Sequence, residues 1–129
     1  FHDNNYEFRI QLCEYIIPQI DNIKLELIRD IYLELSKCAK EVWSVYNNYH
    51  LFAQQLIDRG GTTYLIDYLE GATQSFDTLL ASGRLTLTNT QKKNILNFVN
   101  DKLITETNER QLKLLKFGKE RFENASYDN

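Results

Sequence analysis

Punctuation is scarce in this sequence, which has one proline and five glycines among 129 residues. An all-β domain of short strands needs a turn signal about every 8 to 12 residues, so this scarcity argues against that class and favours long elements. Methionine is absent and the chain opens on Phe1, so it reads as trimmed, by removal of a signal peptide or of a larger parent sequence. Long hydrophobic runs are missing as well. Charge interrupts every apolar stretch before the roughly 18 to 20 residues needed to cross a bilayer, and no membrane span is expected.

Catalytic residue types are equally thin. The only histidines are His2 and His50, and neither has the Glu or His partner at helical spacing that an acid–base or metal site requires. Cys13 and Cys38 stand too far apart for a Cys-x-x-Cys motif and supply no zinc site. Gly60-Gly61-Thr62-Thr63 lacks the lysine and spacing of a phosphate-binding loop, and no nucleophile elbow, kinase signature or dinucleotide fingerprint is present. Glu26, Asp30 and Glu34 recur every fourth residue, but without histidines they read as a solvated face rather than a di-iron site. The expectation is a non-enzymatic protein without cofactor or metal.

What the chain does have is helical periodicity. Hydrophobic residues make up 43% and charged residues 26%, an ordinary globular balance, and the length fits a single helical domain over residues 1–129. Ile28, Ile31, Leu35, Cys38, Val42, Val45, Tyr49, Phe52 and Leu56 alternate spacings of three and four, the period of one helix face. This predicts a helical spine from about Ile28 to Asp58. A second row through Ala39, Trp43, Tyr46, Ala53 and Ile57 widens the buried face to two neighbours. Pro18 predicts a break from the earlier stripe of Ile10, Cys13 and Ile17, with Asp21 or Asp30 as the next N-cap. Gly60-Gly61 ends the spine, and Thr62 or Thr63 caps the helix that follows. That helix buries Leu65, Leu69, Ala72, Phe76 and Leu80 and closes at Ser82-Gly83. Thr88 to Gln91 forms a capping box. It opens a last region that buries Ile95, Val99 and Leu103, turns polar from Thr105 to Gln111, resumes at Leu112, Leu115 and Phe122, and reads as one long helix. The expected fold is all-α: an antiparallel bundle of four to five helices with one long central helix.

Charge is uneven along the chain. Residues 1–41 carry 8 acids against 5 bases, 42–82 carry 4 against 1, and 83–129 carry 6 against 9. A basic last helix packed on acidic earlier ones accounts for this, and the overall acidity argues against nucleic acid as a partner. The exposed side of that last helix, at Arg110, Lys113 and Lys116, is one candidate docking surface. The aromatic row Trp43, Tyr46, Tyr49 and Phe52, with Tyr64 and Tyr68 on the next helix, reads mainly as core. Its edge at Trp43, Tyr46 and His50 is a second candidate surface if the shortened first helix leaves it uncovered. Cys13 and Cys38 read either as two small hydrophobes or as a disulfide closed by a reversal between Pro18 and Arg29, since a continuous helix would hold them about 37 Å apart. Asn124-Ala125-Ser126 matches the glycosylation acceptor pattern. The functional expectation is a secreted or extracellular interaction domain, monomeric or weakly oligomeric, that binds a partner or host protein. The alternatives are a carrier of a small apolar ligand between helices and a cytoplasmic effector or structural module.

Overall fold

The computed structural model describes residues 6–42 and 44–125. Among them there are seven α-helices and no strand: α1 (Tyr6–Ile16), α2 (Leu25–Val42), α3 (Tyr49–Gly60), α4 (Leu65–Ala72), α5 (Phe76–Ser82), α6 (Asn89–Thr105) and α7 (Glu109–Asn124), with a 3-10 turn at Ile17–Asn22 between α1 and α2. None of the helices is long and apolar enough to cross a membrane. The helix count exceeds the expected four to five because three segments that look continuous in sequence are broken.

The first break replaces the long central helix by two. A helix from Ile28 to Asp58 would be about 45 Å long, longer than a domain of this size can cover. Instead α2 stops at Val42, and the Tyr49 N–H bonds back to the Tyr46 carbonyl at 3.0 Å as α3 begins. The connecting stretch holds Ser44, Val45, Asn47 and Asn48, side chains that compete with or crowd helical backbone. The break folds one apolar stripe onto its own continuation, so the Tyr49 ring stacks on Tyr32 with centroids 4.9 Å apart. In a straight helix the two would stand about 25 Å apart along the axis.

The second break divides the segment after Gly61 into α4 and α5. Thr78 N–H donates to Ser75 Oγ at 3.2 Å and Ser75 N–H donates to Thr78 Oγ1 at 2.9 Å, a reciprocal box that starts α5 afresh. This turns Phe76 and Leu80 outward, and both are exposed rather than buried. The third break separates α6 from α7, where the wholly polar stretch supplies nothing for the core. Asn108 caps the new helix by accepting from the Gln111 N–H at 3.1 Å.

Two boundaries follow the sequence closely. Gly61 ends α3 at φ +58, a conformation that glycine adopts without a Cβ penalty. Thr88 and Gln91 make the expected capping box at α6. The proposed caps elsewhere do not form: α2 begins at Leu25 with Asp30 already inside it, Asp21 accepts instead from Gln55 Nε2 at 2.7 Å, and α4 starts after Tyr64 without a side-chain cap.

α2 packs most extensively on α3 and α4, and α7 lies against α6 and α4. At the centre three tyrosines form a ladder. Tyr32 stacks on Tyr49 and, at 6.1 Å, on Tyr68, and all three are fully buried. A buried phenol must find a partner. Tyr32 Oη donates to the Tyr68 carbonyl at 2.6 Å, Tyr68 Oη donates to the Ser82 carbonyl at 2.7 Å, and Tyr49 Oη shares a 2.7 Å hydrogen bond with Ser36 Oγ. From α7, Arg121 Nη1 donates to Tyr68 Oη at 3.0 Å and to Ser82 Oγ at 2.7 Å, while Nη2 reaches the Leu79 carbonyl. Its guanidinium lies 4.8 Å from the Phe117 ring centroid. Arg121 thereby ties the last helix to α4 and α5.

Burial favours the neutral phenol, so the ladder has a pH signature. Desolvation first raises all three tyrosines above their ordinary value, and Tyr49 is pushed up to about 12. With the folded value raised, this stability is fully present below the unfolded value near 10 and is lost as pH rises through about 12. For Tyr49 alone the loss is on the order of 3 kcal/mol. Alkaline denaturation between pH 10 and 12 is the expected result, with an ultraviolet titration in which the buried phenolates appear only together with the loss of helical circular dichroism. Ionisation of all tyrosines near pH 10 in a chain that stays folded would contradict the ladder.

Candidate functional site

The expected docking residues fall in separate places. Trp43 lies outside the described residues. Tyr49 and Phe52 belong to the core with Tyr68, while Tyr46 and Tyr64 are half-buried. Tyr46 Oη donates to Glu14 at 2.9 Å, linking the turn before α3 to α1. Burial, then contact with Glu14, pushes the Tyr46 phenol up to about 12, an opposing contribution coming from Asn48. That edge of the aromatic row is therefore met by α1.

His50 is half-buried beside an open cavity of about 550 Å³ lined by Leu51 and Leu87 as well as by Gln54, Asp58, Arg84 and Gln91. Burial first, and the Arg84 guanidinium next, hold His50 below its ordinary value, so its ring is neutral at pH 7. Among the described residues its buried Nδ1 has no partner at full hydrogen-bond geometry, and the Asn47 backbone opposes the lowering. The surrounding polar groups serve the linker into α6. Gln54 exchanges two 2.8 Å hydrogen bonds with the Thr86 backbone, in the manner of a strand pair, and Asp58 accepts from Gln54 at 2.9 Å and from Gln91 at 2.7 Å.

The basic candidates share a face of α7, where Arg110, Lys113 and Lys116 are exposed. Arg110 Nη2 lies 2.6 Å from Glu70 of α4, across the expected acid–base packing. As an exposed pair it contributes about 1 kcal/mol or less. This group and the Tyr46–His50 group are not brought together.

Cys13 and Cys38 are not joined, which corrects the disulfide reading. The chain does reverse at Ile17–Asn22, but Cys13 is buried in the core while Cys38 is half-buried on α2. Burial, and then the Glu14 charge, push the Cys13 thiol up to about 11, so it is a poor nucleophile at neutral pH. Asn124, the last residue of α7, is exposed and donates to the Glu120 carbonyl at 3.0 Å. Ser126 of its acceptor pattern lies outside the described residues.

A surface absent from the sequence reading stands out instead on α1 and α2. α1 buries Cys13 and Ile16 on one side, yet Phe8 is 67% and Tyr15 is 69% exposed on another. Phe8, Leu12 and Tyr15 are spaced i, i+4, i+7 and so form a second apolar stripe. Phe8, Leu12 and Ile31 line a groove of about 380 Å³ between α1 and α2, together with Arg9, Asp30 and Glu34. On α2, Leu27 lies one turn before Ile31 and is 43% exposed. The signal for this site was present: a short helix with apolar residues on two faces has more of them than one core contact uses. Elsewhere Phe76 with Leu80 on α5 and Ile104 at the end of α6 are also exposed, but a pair and a single side chain do not build a groove.

No protein-family model, curated protein or solved structure matches the chain.

Proposed function

We propose that this chain is a non-enzymatic interaction domain that docks a partner protein on the face made by α1 and the first half of α2. The observation that carries this reading is the exposed apolar stripe of Phe8 and Tyr15 beside the groove floored by Leu12 and Ile31. Large exposed aromatics cost solubility in a free chain and supply contact area in a complex. Surface aromatics that anchor a partner typically contribute about 2 kcal/mol or more each.

The carrier reading is less favoured, because Tyr32, Tyr49 and Tyr68, the aromatics placed to line a ligand cavity between helices, are stacked on and hydrogen-bonded within one another's neighbourhood.

Phe8→Ser with Tyr15→Ser tests the proposal, since both side chains project outward and their replacement should leave the helical circular dichroism unchanged. Affinity capture from the native source is compared between wild type, this double variant, and Lys113→Glu with Lys116→Glu. Loss of the wild-type partner with the first variant alone is the expected result. Retention with the first and loss with the second moves the docking face to α7 and defeats the proposal.

A further inference from the structure

We infer that the groove between α1 and α2 accepts an amphipathic helix of a partner protein whose polar side is basic. The inference rests on the α1–α2 face being the docking surface, and it adds the kind of segment that fits there.

The shape of the anchor row decides the secondary structure of the occupant. Phe8, Leu12 and Tyr15 span two helical turns, about 10 Å along α1, with the floor of the groove at Leu12 and Ile31 beside them. A row of this length matches apolar residues at i, i+3 or i+4, and i+7 on an incoming helix, the usual mode of helix-in-groove recognition. An extended peptide would instead add to a sheet edge. No strand exists among the described residues, and the backbone groups of α1 and α2 are engaged within their own helices, so a strand would find no ladder to join.

The rim sets the charge. Asp30 and Glu34 both line the groove and are exposed, whereas Glu26, one turn earlier on α2, accepts from Tyr64 Oη, just before α4, at 3.2 Å. Cations also stand nearby. Arg9 lines the same groove, and Arg29 lies 3.1 Å from Asp30 in an exposed pair that is worth little. The groove's own lining therefore holds two carboxylates against one cation, in keeping with the acidic balance of residues 1–41. Lysines and arginines flanking an apolar stripe would meet opposite charge there, while acidic residues would be repelled.

A second copy of the chain is a poorer occupant. Its own basic helix, α7, buries its apolar side at Leu114, Leu115 and Phe122, so a folded copy cannot present it.

The test uses the intact chain and two synthetic helical peptides with the same leucines at i, i+4 and i+7, one with lysine and one with glutamate on the polar side. Binding is read by calorimetry and by amide shifts of labelled protein. The expected result is that the lysine peptide binds about tenfold tighter than the glutamate peptide, weakens with added salt, and shifts residues on α1 and on α2 from Leu25 to Leu35. Asp30→Lys with Glu34→Lys should reverse the preference, and Phe8→Ser should weaken both peptides. Equal affinity for the two peptides overturns the inference. So does failure of the lysine peptide to bind, and so does concentration-dependent self-association in sedimentation that Phe8→Ser abolishes. If the peptides fail while Phe8→Ser with Tyr15→Ser still abolishes capture of the native partner, the docking face stands and only the basic helix is excluded. If capture is also unchanged, both are excluded.

Discussion

Gly71→Ala should destabilise the protein by about 3 kcal/mol, lowering the melting temperature by about 10 °C. In an ordinary helix this substitution stabilises, because alanine is favoured over glycine by about 1 kcal/mol. At Gly71 an added Cβ would lie 2.6 Å from Ser36 Oγ, 2.7 Å from Tyr32 Cζ and closer still to Tyr32 Cε2. Neither neighbour can yield freely. The Tyr32 ring is stacked between Tyr49 and Tyr68 with its hydroxyl on the Tyr68 carbonyl, and Ser36 Oγ bonds both Tyr49 and the Tyr32 carbonyl. Glycine at this point is what lets α4 lie against α2 closely enough to build the ladder. Urea denaturation of Gly71→Ala, Tyr32→Leu and the double variant checks the cause. The two losses should fall well short of additive, because the smaller residue relieves the clash. A neutral or stabilising Gly71→Ala would show that α2 and α4 do not approach so closely.

Arg121→Met should cost a similar amount, about 3 kcal/mol, although it keeps much of the side chain's apolar stem. Hydrogen bonds made by a charged donor are worth about 1.5 to 3 kcal/mol, and Arg121 makes three, to Tyr68, Ser82 and Leu79, on two different helices. Losing them also withdraws the positive charge that opposes the rise in the Tyr68 and Tyr49 phenols, so those phenols should move further up. Arg121→Lys should recover little, because a single ammonium cannot reproduce the planar fork that reaches three acceptors. The measurement is the denaturation midpoint of the three proteins. Full stability in Arg121→Met would mean that α7 is held by its apolar face alone, at Leu114, Leu115 and Phe122.

The helical class was legible in the sequence because its two strongest signals are local. Threonine and glutamine in the Thr88 box need only each other, and Gly61 needs only its own φ. The break between α2 and α3 was not legible, because the three-four rhythm runs through it unchanged. Val45 is half-buried and Tyr49 fully buried on the far side of the turn, so burial preserves the pattern while the axis reverses. The same ambiguity joined α4 to α5, where Phe76 and Leu80 kept the rhythm but faced outward. There the Ser75–Thr78 box was the missed signal, since threonine replaces the usual glutamate or glutamine at its third position. For the site, the sequence drew attention to the edge of the aromatic row at Trp43, Tyr46 and His50, of which Tyr46 and His50 are half-buried. It passed over Phe8 and Tyr15, because the stripe of Ile10, Cys13 and Ile17 already supplied one face for the first helix. Only the fold shows that α1 has a second apolar face left uncovered.

The docking claim is tested most directly by hydrogen–deuterium exchange of the chain alone and in complex with the partner recovered by affinity capture. The account predicts new protection on binding in α1 and in α2 from Leu25 to about Glu34, with α7 unchanged. Protection confined to α7 around Arg110, Lys113 and Lys116, or to the turn and first residues of α3 around Tyr46 and His50, would contradict it.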